Sequence, residues 1–202
     1  MIERLEQAVG RPVSRETFEK LELYAALLRE ESARQNLVSA ATLDDLWERH
    51  IVDSAQLLRY EPQALASWLD IGSGAGLPGI VVACLAEGAV TLVEPRRLRA
   101  DFLHKVVESL RLDASVLCAK VERVEGRFDV ITARAVAALP RLLKISAHLS
   151  TGKTVWALPK GRGALAELAE ARRTWQGDFR VEPSVTDDDS YVVVATKVRA
   201  RT

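Results

Sequence analysis

The sequence has 202 residues, with 28 Lys or Arg against 28 Asp or Glu, so its formal net charge at pH 7 is zero. This length is enough for one good-sized domain, or for one domain with an appendage. Neutrality argues against a protein that coats nucleic acid non-specifically, since such proteins carry a broad basic field. No apolar run approaches the roughly 18 residues of a membrane span, and residues 1–6 lack the apolar core of a signal peptide. With two cysteines in apolar stretches, expected to be buried reduced thiols, the chain is predicted to be cytoplasmic, with no membrane partner.

Residues 1–62 are predicted to form a short helical N-terminal extension. Apolar residues recur in it at helical spacing: Phe18, Leu21, Tyr24, Leu27 and Leu28. Ser14 suits the N-cap of this helix, because its side-chain oxygen can accept a hydrogen bond from the first turn. A second helix is predicted to follow Thr42, which could form a capping box with Asp45.

Residues 63–202 alternate between short apolar runs and helical patterns. The predicted strands are 68–71, 90–93, 115–118, 128–132 and 155–158. The predicted helices are 78–86, 98–110, 139–149 and 164–175. Such alternation indicates parallel strands with helices on both faces, and two closing strands, 179–185 and 191–198, indicate an antiparallel hairpin. The prediction is an α/β protein with a mostly parallel, Rossmann-like sheet. A terminal hairpin is typical of a class I S-adenosylmethionine-dependent methyltransferase rather than a dehydrogenase.

Four glycines lie between the first predicted strand and the following helix: Gly72, Gly74, Gly76 and Gly79. Glycines there let the backbone turn tightly and approach a ligand closely, although a tight turn without a ligand is an alternative. Residues 74–79 also satisfy the dinucleotide pattern G-x-G-x-x-G, which is weak on its own. Asp70, immediately before the loop, would repel a pyrophosphate but stabilise an ammonium or sulfonium group. The loop therefore favours S-adenosylmethionine over NAD.

Acidic residues follow the next two predicted strands. Glu94 ends the second strand, where an acid typically accepts hydrogen bonds from ribose hydroxyls. Both nucleotide classes use such an acid, so Glu94 does not discriminate between them. Val121 and Glu122 follow the third strand, where a backbone amide and a neighbouring acid can contact an adenine edge. The residues alone leave that role open.

Several stretches together resemble one family. They are residues 36–37, 49–54, 69–80, 101–103, 128–136 and 160–161, in family order between roughly residues 20 and 165. The chain resembles the bacterial small-subunit ribosomal RNA guanine-N7 methyltransferases, also called glucose-inhibited division protein B. The glycine segment ending in Leu-Pro-Gly and the segment Arg-His-Ile-x-Asp-Ser at 49–54 are the specific parts of the match.

The resemblance implies transfer of a methyl group from S-adenosylmethionine to N7 of a guanine in 16S ribosomal RNA. It maps the family's cofactor positions onto five residues: Gly72, Leu77, Val121, Glu122 and Arg134. Leu77 stands where an aromatic residue is common in the family, and arginine replaces lysine after Glu94. Pro159 interrupts the usual Leu-Lys-Gly, which leaves the path of that strand end open.

The expected chemistry needs no general base, because guanine N7 carries a free lone pair and no proton. Catalysis can come mainly from holding nucleophile and methyl group in line. The segment 132–135 has neither the Asn/Asp-Pro-Pro-Tyr/Phe sequence of amino-group methylation nor a nucleophilic cysteine. Arg134, at the end of the fourth strand, is the candidate catalytic residue. It could clamp the cofactor carboxylate or an RNA phosphate, or be a surface arginine paired with a nearby acid.

RNA binding needs positive charge, and six residues are candidates for phosphate contacts: Arg49, Arg96, Arg97, Arg99, Lys160 and Arg162. For each of them a solvated surface is the alternative. His50 and Asp53 lie nearly one helical turn apart, so they could hydrogen-bond and brace the N-terminal helices. No metal site is expected.

Three other functions stay open from the sequence. The chain could methylate a small molecule or a protein, act as an NAD-dependent oxidoreductase, or bind RNA as a catalytically idle ribosome assembly factor. Zero net charge favours a structured ribosomal particle as the substrate, since particle shape then supplies part of the specificity.

Overall fold

The N-terminal region is helical, as predicted. The structure, a computed structural model, describes residues 1–39 and 43–201. Helix α1 spans Ile2–Val9 and helix α2 spans Arg15–Gln35. The Ser14 hydroxyl accepts a hydrogen bond from the Thr17 amide at 3.1 Å, which confirms the N-cap. The capping box assigned to Thr42 lies outside the described residues.

Residues 47–60 form one irregular helical segment, here called the composite helix. It consists of a π-helical turn, a short α-helical turn and a 3₁₀ turn: Trp47–Val52, Asp53–Ala55 and Gln56–Tyr60. The regular helix expected from the sequence is therefore replaced by three geometries. Short π-helical turns are frequent at functional sites.

Seven strands form one sheet in the order β3-β2-β1-β4-β5-β7-β6. The strands are β1 Trp68–Ile71, β2 Val90–Val93, β3 Ala114–Leu117, β4 Val130–Ala133, β5 Val155–Lys160, β6 Trp175–Pro183 and β7 Tyr191–Ala200. Strands β1 to β5 pair in parallel, whereas β7 runs antiparallel to both β5 and β6. The mostly parallel sheet with a C-terminal hairpin is confirmed.

Four further α-helices cover the sheet together with the N-terminal helices. They are α3 Gly79–Leu85, α4 Arg97–Leu110, α5 Leu139–Ser146 and α6 Ala164–Ala171. Helix α6 ends at Ala171, so the predicted helix 164–175 is too long. Trp175 instead begins β6 opposite Ala200, where it packs against the hydrophobic core that α5 and α6 share with the sheet. Aromatic residues favour such a half-buried pleated surface.

The sheet separates two hydrophobic cores. On one face, α1, α2, the composite helix, α3 and α4 share a core with Trp68 of β1. On the other face, α5 and α6 pack with the neighbouring Leu69. The N-terminal helices therefore share a core with one face of the sheet. The domain boundary at residue 62 stays a prediction.

The structure corrects the expectation for Cys118 and shows the path of the strand at Pro159. Cys118 is exposed rather than buried, because it follows the edge strand β3, where alternate residues face solvent. Strand β5 continues through Pro159 to Lys160. Its pairing with β4 ends at Ala157, so the proline lies where one neighbouring strand has already stopped. Within the described ranges, no helix is long and apolar enough to cross a membrane.

Candidate active site

Asp70 lies beneath the glycine loop and ties three elements together. Its side chain is 1% exposed. Its Oδ2 accepts a hydrogen bond from the Gly79 amide at 3.1 Å, and its Oδ1 accepts one from the Thr132 hydroxyl at 2.8 Å. Burial raises the pKa of Asp70 to about 6, although these hydrogen bonds oppose the increase. Asp70 thus joins β1, β4 and the start of α3, and its predicted contact with the cofactor stays a prediction.

The glycine loop requires small residues at specific points. Gly72 has φ +67°, and a Cβ built on it would lie 2.6 Å from Val136 Cγ2. Gly76 has φ +96°, and its Cβ would lie 2.6 Å from Ile80 Cγ1. Most residues would be strained at these φ values and would also clash. The loop backbone can therefore turn under a ligand only because no side chain occupies these places.

The loop rests against the N-terminal helices. The Tyr24 hydroxyl donates a hydrogen bond to the Ala75 carbonyl at 2.9 Å. Leu77 is 5% exposed and belongs to the core under the loop. Leu77, Gly74 and Gly76 are not among the residues that line the two cavities described next. The cofactor contacts predicted for these three residues stay predictions.

A cavity of about 370 Å³, here called the loop cavity, opens beside Gly72. It brings Glu94 together with the adjacent residues Val121 and Glu122, which are far from Glu94 in the sequence. Glu94 is 3% exposed, and its two oxygens accept hydrogen bonds from the amides of Gly74 at 2.9 Å and Arg96 at 2.8 Å. These bonds fix the carboxylate at the cavity wall, and each oxygen keeps one acceptor site for a ligand.

A second cavity of about 460 Å³ lies at the carboxyl ends of β4 and β5 and is here called the strand-end cavity. It is lined by Asp53, Arg134, Ala135, Val136, Ala137, Pro159, Lys160, Gly161, Glu167, Ser190 and Tyr191. Ala135 and Val136 line both cavities, so the two are adjacent. Ala135 has φ +57°, a strained conformation for alanine, which is a feature of functional sites.

Arg134 lies in the strand-end cavity beside Asp53. The distance from Arg134 Nη1 to Asp53 Oδ2 is 3.5 Å, and the two side chains are 20% and 15% exposed. Asp53 Oδ1 accepts hydrogen bonds from Gln56 at 2.8 Å, Ser184 at 3.2 Å and Thr186 at 3.1 Å. Arg134 therefore does pair with an acid, as the alternative interpretation expected, but the pair forms part of a cavity wall.

The predicted hydrogen bond between His50 and Asp53 is wrong. Both ring nitrogens of His50 are buried and have no hydrogen-bond partner in the described part of the chain. A π-helical turn has more residues than an α-helical turn, so residues three apart no longer lie above one another. Burial, and next the charge of Arg134, lower the pKa of His50 to about 4. The ring is therefore neutral at pH 7.

The basic candidates fall into different surroundings. Arg96 and Arg99 line the loop cavity, together with Lys120 and Arg141, which the sequence reasoning missed. Lys160 lines the strand-end cavity with its side chain 11% exposed. Its amine lies 2.9 Å from both the Ala137 carbonyl and a Glu167 carboxylate oxygen, so it holds the cavity wall.

The other three candidates lie outside both cavities and pair with acids on the surface. Arg97 lies 2.9 Å from Asp101, and Arg162 lies 2.5 Å from Asp189. Arg49 lies 4.0 Å from both Asp45 and Asp187. Exposed ion pairs of this kind are weak and leave an arginine able to exchange partners. Their contact with RNA stays a prediction.

The family model described as rRNA small subunit methyltransferase G matches residues 17–188. The chain belongs to this family. A Ribosomal RNA small subunit methyltransferase G from Zymomonas mobilis is 48% identical over 206 residues, covering 98% of this chain and 92% of the relative. Another, from Rhizorhabdus wittichii, is 47% identical, covering 94% of this chain and 89% of the relative.

Solved structures confirm the fold of this methyltransferase. A SAM-dependent methyltransferase from Aquifex aeolicus superposes with a TM-score of 0.60 at 14% identity. The match covers 76% of this chain and 93% of that structure. The class I S-adenosylmethionine-dependent methyltransferase fold, predicted from the alternating strands and helices and the closing hairpin, is thus confirmed.

Sequence reasoning also missed four polar or aromatic residues of the strand-end cavity: Asp53 as a cavity residue, Glu167, Ser190 and Tyr191. They come from the composite helix, α6 and the start of β7, none of which carries a recognised cofactor pattern. Only Asp53 lies in a family-specific segment, 49–54. Ser190 and Tyr191 can be found by recognising that an antiparallel β7 begins where β5 ends. Among the described residues, no group of three or more His, Cys, Asp or Glu could hold a metal ion.

Proposed function

We propose that the protein transfers the methyl group of S-adenosylmethionine to N7 of a guanine in small-subunit ribosomal RNA. The observation that carries this proposal is the pair of cavities that meet at Ala135 and Val136. One has the glycine loop and buried Glu94, while the other lies at the carboxyl ends of β4 and β5, where ligands bind in open α/β sheets. Two adjacent cavities suit a donor and an acceptor.

The residues of the loop cavity fit the proposed cofactor. Gly72 gives close access to backbone, Glu94 has acceptor sites for ribose hydroxyls, and Val121 with Glu122 lies where an adenine edge would be contacted. Arg134 makes only one long hydrogen bond to Asp53, at 3.5 Å. Its other guanidinium donors therefore stay available for the cofactor carboxylate. When bound, the cofactor supplies an electrophilic methyl group on a sulfonium.

The strand-end cavity would hold the acceptor guanine. Attack by N7 releases no proton, so the site needs orientation rather than a base. His50 lines neither cavity and is a weak base, because its pKa is lowered to about 4, and the Lys160 amine is paired with Glu167. Arg134 can orient the reactants, but it must leave N7 itself free, because a donor hydrogen bond to N7 would occupy the attacking lone pair.

We expect the RNA to be recognised within a ribosomal particle in the cytoplasm. The chain has zero net charge, and several cations outside the cavities are paired with acids. A shaped particle would compensate for the weak overall attraction to phosphate.

The proposal is tested by transfer of labelled methyl from S-adenosylmethionine to small subunits from cells lacking this gene, with free ribosomal RNA in parallel. Label in one guanine of the subunits is the expected result. Arg134→Ala should reduce the rate at least about tenfold, as loss of a charge-assisted clamp would. Arg173→Ala is the matched control, because Arg173 is exposed and lines neither cavity.

The outcomes separate the parts of the proposal. Label on free RNA alone would overturn the particle as substrate, and label at an atom other than N7 would overturn the position. Absence of label in both substrates, despite measurable binding of S-adenosylhomocysteine, would overturn the proposed acceptor. Full activity of Arg134→Ala would remove Arg134 from the site.

A further inference from the structure

The strand-end cavity contains one residue to which the proposed function gives no role. Tyr191 is the only aromatic residue among the described residues lining either cavity. It is half-buried and packs against the hydrophobic core on the sheet face that α5 and α6 cover. Its ring therefore has a supported side and an accessible part, which is the arrangement of a stacking surface.

The position of Tyr191 follows from strand direction. Tyr191 begins β7 and lies opposite Lys160, the last residue of β5, in the antiparallel ladder. It thereby reaches the same edge of the sheet as the carboxyl ends of the parallel strands. Directly opposite residues in a ladder lie on one face and interact. The Lys160 amine is held by the Ala137 carbonyl and the Glu167 carboxylate. The cavity wall next to the Tyr191 ring is therefore fixed in position.

The rest of the cavity suits a purine base. Val136 and Pro159 add apolar surface, while Arg134 and Glu167 add a donor and an acceptor. Sequence-specific proteins bind unpaired RNA bases by stacking them on aromatic side chains and by hydrogen bonds to the base edges. The volume of about 460 Å³ is within the range of pockets that enclose small organic molecules.

From this we infer that Tyr191 is a specificity-determining residue, the surface on which the acceptor guanine stacks when it is turned out of the RNA. The inference rests on the proposed function and deepens it. Stacking would hold the plane of the base and so direct N7 along the edge of the cavity shared with the loop cavity. Tyr191 would take no part in proton transfer.

The test compares two variants. Tyr191→Phe keeps the aromatic ring, whereas Tyr191→Leu keeps apolar bulk but removes the ring. We measure kcat and KM for small subunits, the dissociation constant of S-adenosylhomocysteine by calorimetry, and the thermal midpoint. Tyr191→Leu should raise KM for the subunits by about tenfold or more. Tyr191→Phe should stay near wild type, and neither variant should change cofactor affinity.

Trp175→Leu is the matched control for damage to the hairpin. Trp175 is an aromatic residue at the far end of the same pair of strands, opposite Ala200, and lines neither cavity. A KM increase shared by Trp175→Leu and Tyr191→Leu would overturn the inference, because it would reflect hairpin stability. An unchanged KM in Tyr191→Leu would do the same, as would equal losses in the Phe and Leu variants.

Two further outcomes are distinct. If Tyr191→Leu weakens S-adenosylhomocysteine binding instead, the ring contacts the cofactor and the inference is overturned while the proposed function stands. If wild-type protein methylates no ribosomal RNA, the proposed function fails and the inference fails with it. The wild-type rate therefore separates the two failures.

Discussion

At the scale of single residues, Gly72 and Val136 meet where the two cavities join. The Cβ that any other residue would add at position 72 lies 2.6 Å from Val136 Cγ2. The backbone there has φ +67°, which costs a non-glycine residue about 1–3 kcal/mol. A substitution thus affects both the loop and the segment that separates the cavities.

Gly72→Ala should therefore weaken binding of S-adenosylhomocysteine by about tenfold, because part of the binding free energy would be needed to move Val136 or the loop. Isothermal calorimetry measures this directly. Gly152→Ala is the control, since a Cβ at Gly152 has no atom within 4 Å. Equal affinities in the two variants would contradict the assigned role of Gly72.

Asp70 is a second residue with a measurable consequence, because its buried carboxyl has a pKa raised from 3.8 to about 6. In the unfolded chain the carboxyl loses its proton near pH 4, whereas in the folded protein it keeps the proton until about pH 6. The folded state binds more protons over this interval, so the Asp70 contribution to stability falls as pH rises from about 4 to 6. The loss is at most about 3 kcal/mol.

The measurement is urea unfolding of wild type and Asp70→Asn between pH 4 and 7. The free energy of unfolding of wild type should fall relative to that of the variant across this interval, since Asn does not titrate. The difference is needed because His50, with its pKa lowered to about 4, contributes with the opposite sign in both proteins. A difference independent of pH would show that Asp70 is ionised in the folded protein throughout.

At the scale of elements, Asp53 connects the composite helix to the turn between β6 and β7. Its carboxylate accepts hydrogen bonds from Ser184 and Thr186 of that turn and lies beside Arg134 after β4. Gln56 adds a further connection, because its side chain accepts a hydrogen bond from the Val185 amide at 3.0 Å. Three separate parts of the chain are thus held around one side of the strand-end cavity.

Asp53→Ala should lower the free energy of unfolding by about 1–3 kcal/mol, because it leaves one buried and two half-buried donors without this acceptor. It should also lower kcat, since Arg134 loses the group that positions it. Chemical unfolding and methyl-transfer assays measure the two effects. Asp189→Ala removes a carboxylate from the same turn, but one paired with exposed Arg162, so it should cost under about 1 kcal/mol. Equal effects of both substitutions would show that Asp53 does not hold these elements together.

At the scale of the whole molecule, the N-terminal helices and the sheet share one hydrophobic core. Leu5, Leu21, Tyr24 and Leu28 are fully buried and belong to the same cluster as Trp68 of β1. Polar contacts join the same parts, since Tyr24 also binds the glycine loop. The predicted division at residue 62 therefore separates two parts of a common interior.

A chain lacking residues 1–62 is accordingly expected to lose cooperative thermal unfolding and to bind a hydrophobic dye, because one face of the sheet would be exposed. Circular dichroism and dye fluorescence measure this against the intact chain. Co-expression with residues 1–62 is the control, and it should restore binding of S-adenosylhomocysteine. A truncated chain that unfolds cooperatively and binds the cofactor product unaided would show that residue 62 is a true domain boundary.

Local patterns in the sequence were sufficient for the order of elements and for the position of the glycine loop between the first strand and the next helix. Alternating strands and helices predicted the sheet, because apolar periodicity reflects which faces are buried. Gly72 and Glu94 each directly follow a strand end, and this local signal was enough to predict that both lie at one cavity. Trp175 was misassigned to a helix, since local propensity could not show that it pairs with Ala200.

Contacts between distant residues were decided only by the tertiary structure. Asp70 is turned beneath the loop by Gly79 and Thr132, and His50 is parted from Asp53 by a π-helical turn. The antiparallel course of β7 brings Tyr191 to the cavity. Residues close in the chain reveal their relation through short-range spacing, whereas these groups meet only because the packed sheet sets the direction and register of strands far apart in sequence.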